Sequence, residues 1–373
     1  MTREFKIAET IGCHDPGENA NALHPQLQFR SSSEHATFAA KRIAAVGETM
    51  KALLCEAHGP AETLVIRDIA EPSPGPGEVV IAVKAAALNF FDTLIIEGRY
   101  QTKPALPFSP SAECAGTIAS IGEGVTGWRV GERVAAWLGH GAARESVVVP
   151  AQQIVRVPDA LDDAQAAGLF VTYGTAMHGL IQRAGLKGGE TLAVLGAAGG
   201  AGLAAVEIGA LLGAHVIACA SSADKLALAR THGAQEELDY SSEDPKAGLR
   251  RLTEGRGVDV LYDTVGGDLA EPALRAMAWE GRYLVVGFAG GAIPKIALNL
   301  LLLKGCDLRG VFWGEFVRRE PAAHRRNMER LLDWAANGHI RAHVHAALPL
   351  ERWTEGFALI GDRKAKGKII LTL

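Results

Sequence analysis

Residues 189–225 decide the fold, and they read GETLAVLGAAGGAGLAAVEIGALLGAHVIACASSADK. The apolar run from Thr191 to Leu195 has the length of a strand that is buried on both faces. The glycine-rich turn from Gly196 to Gly202 follows, and apolar residues then recur at helical spacing until Gly213, where the helix is expected to end. Residues 215–220 form a second apolar run, which predicts another buried strand.

This order of strand, glycine turn, helix and strand predicts a dinucleotide-binding unit. Gly199, Gly200 and Gly202 are the candidate contacts for the pyrophosphate. A Cβ at the turn would hold the backbone away from the pyrophosphate, and the N-terminus of the following helix supplies free N–H groups for the anion. The alternative is a glycine turn that serves packing alone, and the two flanking strands favour nucleotide binding over it.

The end of the second strand indicates which nucleotide binds. An NAD site usually has Asp or Glu at this point, where it accepts a hydrogen bond from the ribose 2′-hydroxyl. Here Ser221, Ser222 and Lys225 follow the strand. Hydroxyls and an ammonium would receive a 2′-phosphate, whereas a carboxylate would repel it, so the sequence favours NADPH. The alternative, that Ser221 caps the next helix and Lys225 is solvated, is compatible with phosphate binding.

Length and composition bound the class of protein. The 373 residues suffice for two domains, and 21% charged residues with a formal charge of −4 fit a compact enzyme. That charge gives no reason to expect nucleic acid or an anionic membrane as a partner. The longest apolar run, near residues 296–303, is broken by Asn299 and is too short for a membrane span. The five cysteines are scattered without a CxxC pair, which predicts neither a disulfide framework nor a zinc site, and a cytoplasmic location is expected.

The N-terminal third of the chain divides into two parts. Residues 1–49 lack a periodic apolar pattern and are predicted to be a mobile extension, with ordered sequence from Met50. Short strand patterns separated by Gly/Pro turns then predict a partly open β-barrel, with strands over 52–56, 64–68, 79–86, 116–121, 133–137 and 146–150. A helix is expected over 162–183.

After the glycine turn, strand and helix patterns alternate, which predicts a doubly wound parallel sheet of about six strands. The further strands are expected over 236–240, 258–262, 282–287 and 307–312, and the helices over 223–231, 245–253 and 270–278. A helix over 321–337 and short strands around a helix at 352–360 complete the chain. The sequence therefore predicts an α/β protein in which the nucleotide domain is inserted into a discontinuous barrel domain.

From Met50 to Leu373 the chain resembles the zinc-free quinone oxidoreductases, the zeta-crystallin-like branch of the medium-chain dehydrogenase/reductase superfamily. The resemblance is carried by a combination of short segments: Asn89–Asp92 with Gly98–Tyr100, Pro107–Pro110 with Glu113–Gly116, Thr172–Ala176, Ala197–Gly202, Lys225 with Tyr240, Asp259–Gly266, Val286–Phe288 and Arg363. Ser111 departs from the pattern, since the family usually has glycine there.

The resemblance implies a fold and a set of roles. The fold is a GroES-like catalytic domain over 50–170 and 315–373 and an NADP-binding Rossmann domain over 171–314. The residues that would receive the 2′-phosphate of NADPH are Ser221, Ser222, Lys225, Tyr240 and Arg363. Those that would hold the nicotinamide are Thr175, Val265, Gly287 and Phe288, and the acceptor would be bounded by Asn89, Asp92 and Tyr100. A homodimer is also implied.

The resemblance also implies what the protein reduces. The zinc alcohol dehydrogenases of the superfamily carry a catalytic cysteine, a Gly-His-Glu run and a four-cysteine lobe, whereas here 89–93 contains no cysteine and Ser111–Glu113 stands in place of the Gly-His-Glu run. Hydride transfer to a quinone or an activated enone needs a positioned donor and stabilisation of the developing charge rather than a metal. Two alternatives remain open: an enoyl-thioester reductase, and a non-catalytic protein that binds NADPH.

Several residues have a structural alternative to a functional role. Asn89 and Asp92 could cap a helix, Tyr100 could be an aromatic residue at the barrel rim, and Tyr173 and Asp263 are predicted to be structural. The histidines at 339, 343 and 345 are expected to be solvated rather than to bind a metal. Trp313 is expected either in the substrate cleft or at a subunit contact.

Overall fold

The computed structural model describes residues 48–373. The extension predicted over residues 1–49 therefore lies almost wholly outside the described residues. Thr49 already belongs to the first strand, β1 (Thr49–Leu54).

A long strand organises the first domain. β3 (Glu78–Leu88) is rich in Val, Ile and Ala, and it pairs along one edge with β4 (Glu113–Ile121). Its other edge is shared, because β6 (Ser146–Pro150) pairs with its first half and the C-terminal strand β15 (Lys368–Thr372) with its second half. The chain thus returns at its end to the middle of the barrel domain. The remaining strands of this domain are β2 (Val65–Ala70), which pairs with β1, and β5 (Arg133–Trp137), β7 (Ile154–Arg156) and β14 (Val344–Pro349), which complete the order β14-β15-β3-β4-β5-β7.

The second domain is a six-stranded parallel sheet in the order β10-β9-β8-β11-β12-β13, as predicted. This is the doubly wound order 3-2-1-4-5-6, in which ligands bind where the winding reverses, at the carboxyl ends of the first and fourth strands. Here that point lies between β8 and β11. The strands are β8 (Thr191–Leu195), β9 (His215–Ala220), β10 (Glu236–Asp239), β11 (Val258–Asp263), β12 (Met277–Val285) and β13 (Asp307–Gly310).

Helices cover the sheets and connect the domains. Numbered in chain order, they are α1 (Phe90–Ile96), α2 (Asp163–Met177), α3 (Gly200–Leu211), α4 (Ala223–Thr231), α5 (Pro245–Leu252), α6 (Ala270–Arg275), α7 (Asn299–Lys304), α8 (Trp313–Arg319), α9 (Pro321–Ala336) and α10 (Trp353–Gly361). No helix among residues 48–373 is both long and apolar enough to cross a membrane.

Helix α2 joins the two domains. Asp162 caps its N-terminus by accepting a hydrogen bond from the Gln165 N–H at 2.7 Å. Most of the helix is buried, since it packs against β3 and β4 on one side and against α3 on the other. The expected helix over 162–183 is α-helical only to Met177, and it continues as a π-helical segment, His178–Ala184, that ends at Gly185.

Other element boundaries also differ from the expectation. The helix predicted over 270–278 ends at Arg275, because Met277 pairs with Val258 and starts β12. The strand predicted over 307–312 ends at Gly310, and α8 begins at Trp313. The short helices α1, α7 and α8 were not predicted, since each has fewer residues than a periodic apolar pattern needs.

Candidate active site

The glycine turn joins β8 to α3, and its glycines are required for different structural reasons. Gly196 has a φ of 77°, which favours glycine. A Cβ on Gly202 would lie 2.1 Å from the Gly196 carbonyl oxygen, so the turn closes only with glycine there. A Cβ on Gly199 would meet only that carbonyl oxygen, at 3.5 Å, which leaves this part of the turn accessible to a pyrophosphate. Gly200 was predicted to make room for the cofactor, but a Cβ on it would meet the side chains of the protein's own Thr172 and Lys368, at 3.1 and 3.3 Å.

The predicted 2′-phosphate residues converge at the end of β9. The Lys225 ammonium donates to the Ser221 hydroxyl and to the Arg363 carbonyl oxygen, each at 3.2 Å. Burial raises the pKa of the Tyr240 phenol, and a hydrogen bond with Ser221 opposes that rise. The Arg363 guanidinium is directed elsewhere, because it donates to the Gly290 carbonyl oxygen at 3.1 Å.

Ser222, rather than Ser221, is the N-cap residue of α4. Its hydroxyl donates to the Asp224 carboxylate instead of capping the helix. The other oxygen of that carboxylate pairs with the Lys366 ammonium at 2.7 Å, and these hydrogen bonds lower the pKa of Asp224 to about 2. The nearby acid is therefore ionised and turned toward a lysine that the sequence-based interpretation missed.

The C-terminal segment 363–367 lies against the glycine turn. Gly367 forms a parallel bridge with Gly199, and its N–H donates to the Ala198 carbonyl oxygen at 3.0 Å. A Cβ on Gly367 would lie 2.2 Å from the His343 carbonyl oxygen, so this contact also requires glycine. The cofactor turn is thereby tied directly to the strand β15 of the barrel domain.

The predicted nicotinamide rim follows the ends of β11 and β12. The Asp263 carboxylate accepts hydrogen bonds from the Val265 and Gly266 N–H groups at 2.8 and 2.9 Å, and from the Tyr283 hydroxyl at 2.5 Å. The Gly287 N–H donates to the Asp263 carbonyl oxygen at 3.2 Å. Asp263 thus holds both strand ends together, as the structural interpretation of this residue predicted. Burial raises the pKa of the Asp263 carboxyl, and these hydrogen bonds oppose that rise.

The other residues of the predicted nicotinamide rim lie on a loop and on helix α2. A Cβ on Gly266, whose φ is 66°, would lie 2.7 Å from the Phe288 ring, so Phe288 packs directly over the loop after β11. Thr175 lies half-buried on α2, and Gly174 beside it makes room for Trp313. The Trp313 side chain is buried and meets Trp137 edge-to-face at 5.4 Å, so it belongs to the interior between the domains rather than to a surface contact.

The predicted acceptor residues lie at the start of α1. Asn89 is the N-cap residue, and its N–H donates to the Asp92 Oδ2 at 2.8 Å. Asp92 is 1% exposed, and within residues 48–373 its Oδ1 has no hydrogen-bond partner. Burial raises the pKa of this carboxyl to about 7, against the opposing effects of the Asn89 N–H and the Lys368 charge. The carboxyl of Asp92 therefore titrates near neutral pH instead of in the ordinary acidic range of an aspartate.

Tyr100 lies beside this carboxyl. Its ring stacks on Phe91, the residue before Asp92, with a centroid separation of 5.5 Å. Burial and the negative charge of Asp92 both raise the pKa of the phenol, so the hydroxyl keeps its proton at neutral pH. A buried acid and a protonated phenol are the groups that a proton transfer to a reduced acceptor requires.

Two buried residues that the sequence-based interpretation did not assign to the site hold Asn89 in place. The Lys368 ammonium donates to the Asn89 Oδ1 at 2.6 Å and to the Glu113 Oε1 at 2.8 Å. The Asn89 amide nitrogen donates to the same Glu113 oxygen at 2.9 Å. Both ends of the Asn89 amide are thus used within the protein, which makes Asn89 a support for the site. The only signal in the sequence was a lysine at the first position of an apolar strand, KIILTL.

The remaining sequence-based interpretations concern Tyr173 and the histidines. The Tyr173 hydroxyl lies 2.5 Å from the Glu207 carboxylate and 2.9 Å from the Arg341 carbonyl oxygen, a buried structural contact between the domains. Of the three histidines expected to be solvated, His339 is exposed, whereas His343 and His345 are half-buried, and His343 packs edge-on against His232 at 5.5 Å.

Comparisons with known proteins place this site in context. A family model described as "Zinc-binding dehydrogenase" matches residues 200–337, and one described as "Alcohol dehydrogenase GroES-like domain" matches 75–159. The chain is 36% identical to "Quinone oxidoreductase-like protein 2 homolog" of Nematostella vectensis, over 87% of this chain and 89% of the relative. It is 38% identical to "Quinone oxidoreductase" of Pseudomonas aeruginosa, over 84% and 97%. The solved structure of Escherichia coli quinone oxidoreductase complexed with NADPH is similar with a TM-score of 0.79 and 27% identity, over 87% of this chain and 99% of that one.

The residues at this site do not fit the zinc ion that the first description implies. Among residues 48–373, no group of three or more His, Cys, Asp and Glu side chains is placed to hold a metal ion. The Glu113 carboxylate is fully engaged, by Lys368 and Asn89 on one oxygen and by the Val171 N–H on the other at 2.6 Å. Burial raises the pKa of the adjacent Cys114 thiol to about 12, which disfavours the thiolate form that binds zinc.

Proposed function

The chain belongs to the quinone oxidoreductase-like branch of the medium-chain dehydrogenase/reductase superfamily, and from this premise we propose that it reduces a quinone or an activated enone with NADPH, without zinc. Transfer of a hydride and a proton to a quinone gives the hydroquinone, and the same transfer to an enone gives the saturated carbonyl compound. One observation carries the proposal: the Lys225 ammonium and the Ser221 hydroxyl meet at the end of β9, where an NAD site has a carboxylate.

The cofactor side of the proposal depends on charge. Lys225, Ser221 and Tyr240 receive the 2′-phosphate. Asp224, the acid of this segment, does not oppose the phosphate, because Lys366 pairs with its carboxylate. The Escherichia coli relative, which was solved in complex with NADPH, supports this assignment.

The acceptor side supplies a proton. NADPH, when bound, supplies the hydride. Thr175, Val265, Gly287 and Phe288 hold the reacting end of the cofactor against the acceptor. The Asp92 carboxyl has a pKa of about 7, and its Oδ1 has no partner in the described part of the chain; it supplies a proton, and the Tyr100 hydroxyl carries the proton to the acceptor oxygen. A proton source of this kind replaces the polarisation of the carbonyl that a metal would give.

The test is steady-state oxidation of NADPH with a panel of quinones, enones and enoyl-CoA thioesters, in the presence of a chelator. We expect turnover with quinones or enones, no effect of the chelator, and no stoichiometric zinc by elemental analysis. About one zinc per chain would refute the zinc-free mechanism. Turnover confined to the enoyl-CoA thioesters would assign the protein to the alternative reaction, and NADPH binding without turnover of any acceptor would leave only a binding role.

A homodimer is part of the proposal. The edge strand β13 pairs only with β12 within residues 48–373, and the helix before it exposes Leu302 and Leu303. An exposed strand edge beside an apolar surface is an aggregation hazard in a monomer. A second copy of the chain covers both the strand edge and the apolar surface. Two β13 strands can pair antiparallel about a two-fold axis and bury the leucines of both helices.

A further inference from the structure

Lys368 and Glu113 form a buried ion pair that takes part in several hydrogen bonds. The three protons of the ammonium find three acceptors, namely the Asn89 Oδ1 at 2.6 Å, the Glu113 Oε1 at 2.8 Å and the Leu88 carbonyl oxygen at 3.3 Å. Lys368 is 3% exposed and Glu113 is fully buried. Lys368 has no proton left to donate, and both Glu113 oxygens accept hydrogen bonds out of reach of solvent, so any effect of the pair on the reaction acts through a neighbour.

The lysine reaches this position through a slot between two helices. Its aliphatic chain passes Gly168 of α2, where a Cβ would lie 3.3 Å from Cγ, and Gly200 of α3, where a Cβ would lie 3.3 Å from Cδ. Both glycines therefore make room for the same side chain. Burying this ion pair costs the desolvation free energy of both charged groups, so the pair contributes little net stability by itself. This small contribution points to another role for the pair.

The neighbour that both residues hold is Asn89. Its side-chain amide lies between Lys368 and Glu113, and its backbone N–H donates to the Asp92 Oδ2 at 2.8 Å. We propose that Lys368 and Glu113 are positioning residues for Asp92, which fix the Asn89 anchor of its carboxyl group and place one charge of each sign beside it. This inference rests on the proposed function, in which Asp92 is the proton source.

The two charges act on Asp92 in opposite directions. The ammonium of Lys368, from β15, lowers the pKa of the Asp92 carboxyl, and the carboxylate of Glu113, from β4, raises it. Tyr100, after α1, is the other titratable group that faces Asp92, and the polar groups are the Asn89 and Ser111 N–H groups. Because the pair is neutral as a whole, its removal as a unit changes the field at Asp92 much less than removal of either member.

This opposition defines the experiment. Lys368→Met should raise the pKa of Asp92 by about one unit, and Glu113→Gln should lower it by about one unit. Each remaining partner keeps two hydrogen bonds: Glu113 accepts from Asn89 and Val171, and Lys368 donates to Asn89 and Leu88. The double variant should titrate close to the wild type. The titration is followed by the infrared C=O band of the protonated Asp92 carboxyl, assigned by its loss in Asp92→Asn, and by the pH profile of kcat/KM.

A role in folding alone would lower thermal stability and activity uniformly with pH and leave the midpoint of the titration in place. Glu113→Gln keeps the size and most hydrogen bonds of the side chain. If Lys368→Met does not fold, the shift of the Asp92 midpoint in Glu113→Gln still decides the test. Lys84→Met, an exposed lysine on β3, matches the loss of one positive charge and should not move the midpoint.

The outcomes separate the two proposals. Midpoints that move in opposite directions, with turnover insensitive to Asp92→Asn, would support the positioning role and refute Asp92 as the proton source. Turnover that depends on Asp92, with midpoints unchanged in both single variants, would overturn the positioning role alone.

Discussion

Lys225 is the residue at which the choice of cofactor can be tested. Its ammonium has two acceptors within the described part of the chain, the Ser221 hydroxyl and the Arg363 carbonyl oxygen, which leaves one proton for a phosphate. Lys225→Ala removes a charge-assisted contact worth about 1.5–3 kcal/mol. We expect kcat/KM for NADPH to fall about ten- to a hundredfold, while kcat/KM for NADH barely changes. Steady-state kinetics with both cofactors measures the difference.

A second variant tests the same charge by reversal. Ser221→Asp places a carboxylate where the 2′-phosphate would bind, and it can accept a hydrogen bond from a 2′-hydroxyl instead. We expect this variant to prefer NADH. If Lys225→Ala lost activity equally with both cofactors, Lys225 would support the fold rather than the phosphate, and the assignment of NADPH would be wrong.

Asp92 links catalysis to stability. Its pKa is about 7 in the folded protein and 3.8 as the ordinary value, so folding favours the protonated form. The resulting stabilisation is complete below pH 3.8 and is lost as the pH rises through 7, by roughly 4 kcal/mol in total. We therefore expect the unfolding free energy of the wild type to fall between pH 5 and 8, and that of Asp92→Asn to change much less.

Urea denaturation at the two pH values measures this. Asp68→Asn, at an exposed position of β2, is the matched control and should keep the wild-type dependence. Turnover of the wild type should also decline above pH 7, because a proton donor must be protonated to act. An unfolding free energy of Asp92→Asn that falls as steeply as that of the wild type would mean that Asp92 is not the buried acid.

At this scale the sequence indicates which predicted site residues lie together when they follow neighbouring strands of one sheet. Ser221, Lys225 and Tyr240 follow neighbouring strands of one sheet, and parallel strands bring their carboxyl ends together. Lys368 and Glu113 are 255 residues apart and meet only because β15 returns to β3. No local pattern indicates such a pair, and none indicates that Gly200 also makes room for the Lys368 side chain.

At the scale of elements, the turn between β8 and α3 depends on Gly202. A Cβ there would lie 2.1 Å from the Gly196 carbonyl oxygen and 2.8 Å from the Ala197 Cα, and a backbone cannot move aside as a flexible side chain can. We expect Gly202→Ala to cost about 3 kcal/mol of stability and to weaken NADPH binding as the start of α3 is displaced. Thermal unfolding and fluorescence titration with NADPH measure the two effects.

Gly361→Ala is the control for that prediction. Gly361 lies at the end of α10, and a Cβ on it would meet no atom within 4 Å. It should leave both stability and NADPH binding near the wild-type values. A Gly202→Ala protein with unchanged thermal stability would show that the turn can relax, and the close approach of Gly202 to Gly196 would then not be what holds α3 in place.

The element boundaries show where local propensity decides and where tertiary pairing does. Helix α4 and strands β5, β6 and β9 have the predicted bounds, because strong periodic patterns end there at turn residues. The predicted helix over 270–278 ends early, at Arg275, because Met277 and Ala278, which have high helix propensity, belong to β12. Met277 pairs with Val258 of the neighbouring strand, and this long-range contact overrides the local preference.

At the scale of the whole molecule, alternation of strands and helices sufficed to predict the parallel sheet. The barrel domain was harder, because its order depends on which distant strands share the long strand β3. Its neighbours β4 and β6 come from the first half of the chain, and its neighbour β15 comes from the C-terminal segment. Short strands with similar apolar patterns indicate how many strands the sheet has but not which strands pair. The contact of Gly367 with the glycine turn could not be inferred from the sequence for the same reason.

Assembly is the last prediction at this scale. The surface beside β13 exposes Trp279 by 69%, Leu302 by 81% and Leu303 by 68%, and Trp279 packs beside Gly305 at the end of α7, so these side chains form one apolar patch. If two copies pair through this patch and the β13 edge, light scattering at micromolar concentration should give about twice the 39.3 kDa of one chain. Leu302→Glu places a charge in that contact and should yield a monomer, since an unpaired charge in an apolar interface costs several kcal/mol. Val130→Glu is the matched control, because Val130 is 63% exposed on a loop of the barrel domain, and this variant should remain a dimer. A wild-type mass near that of a single chain, or equal masses for wild type and Leu302→Glu, would show that this edge is not the contact between copies.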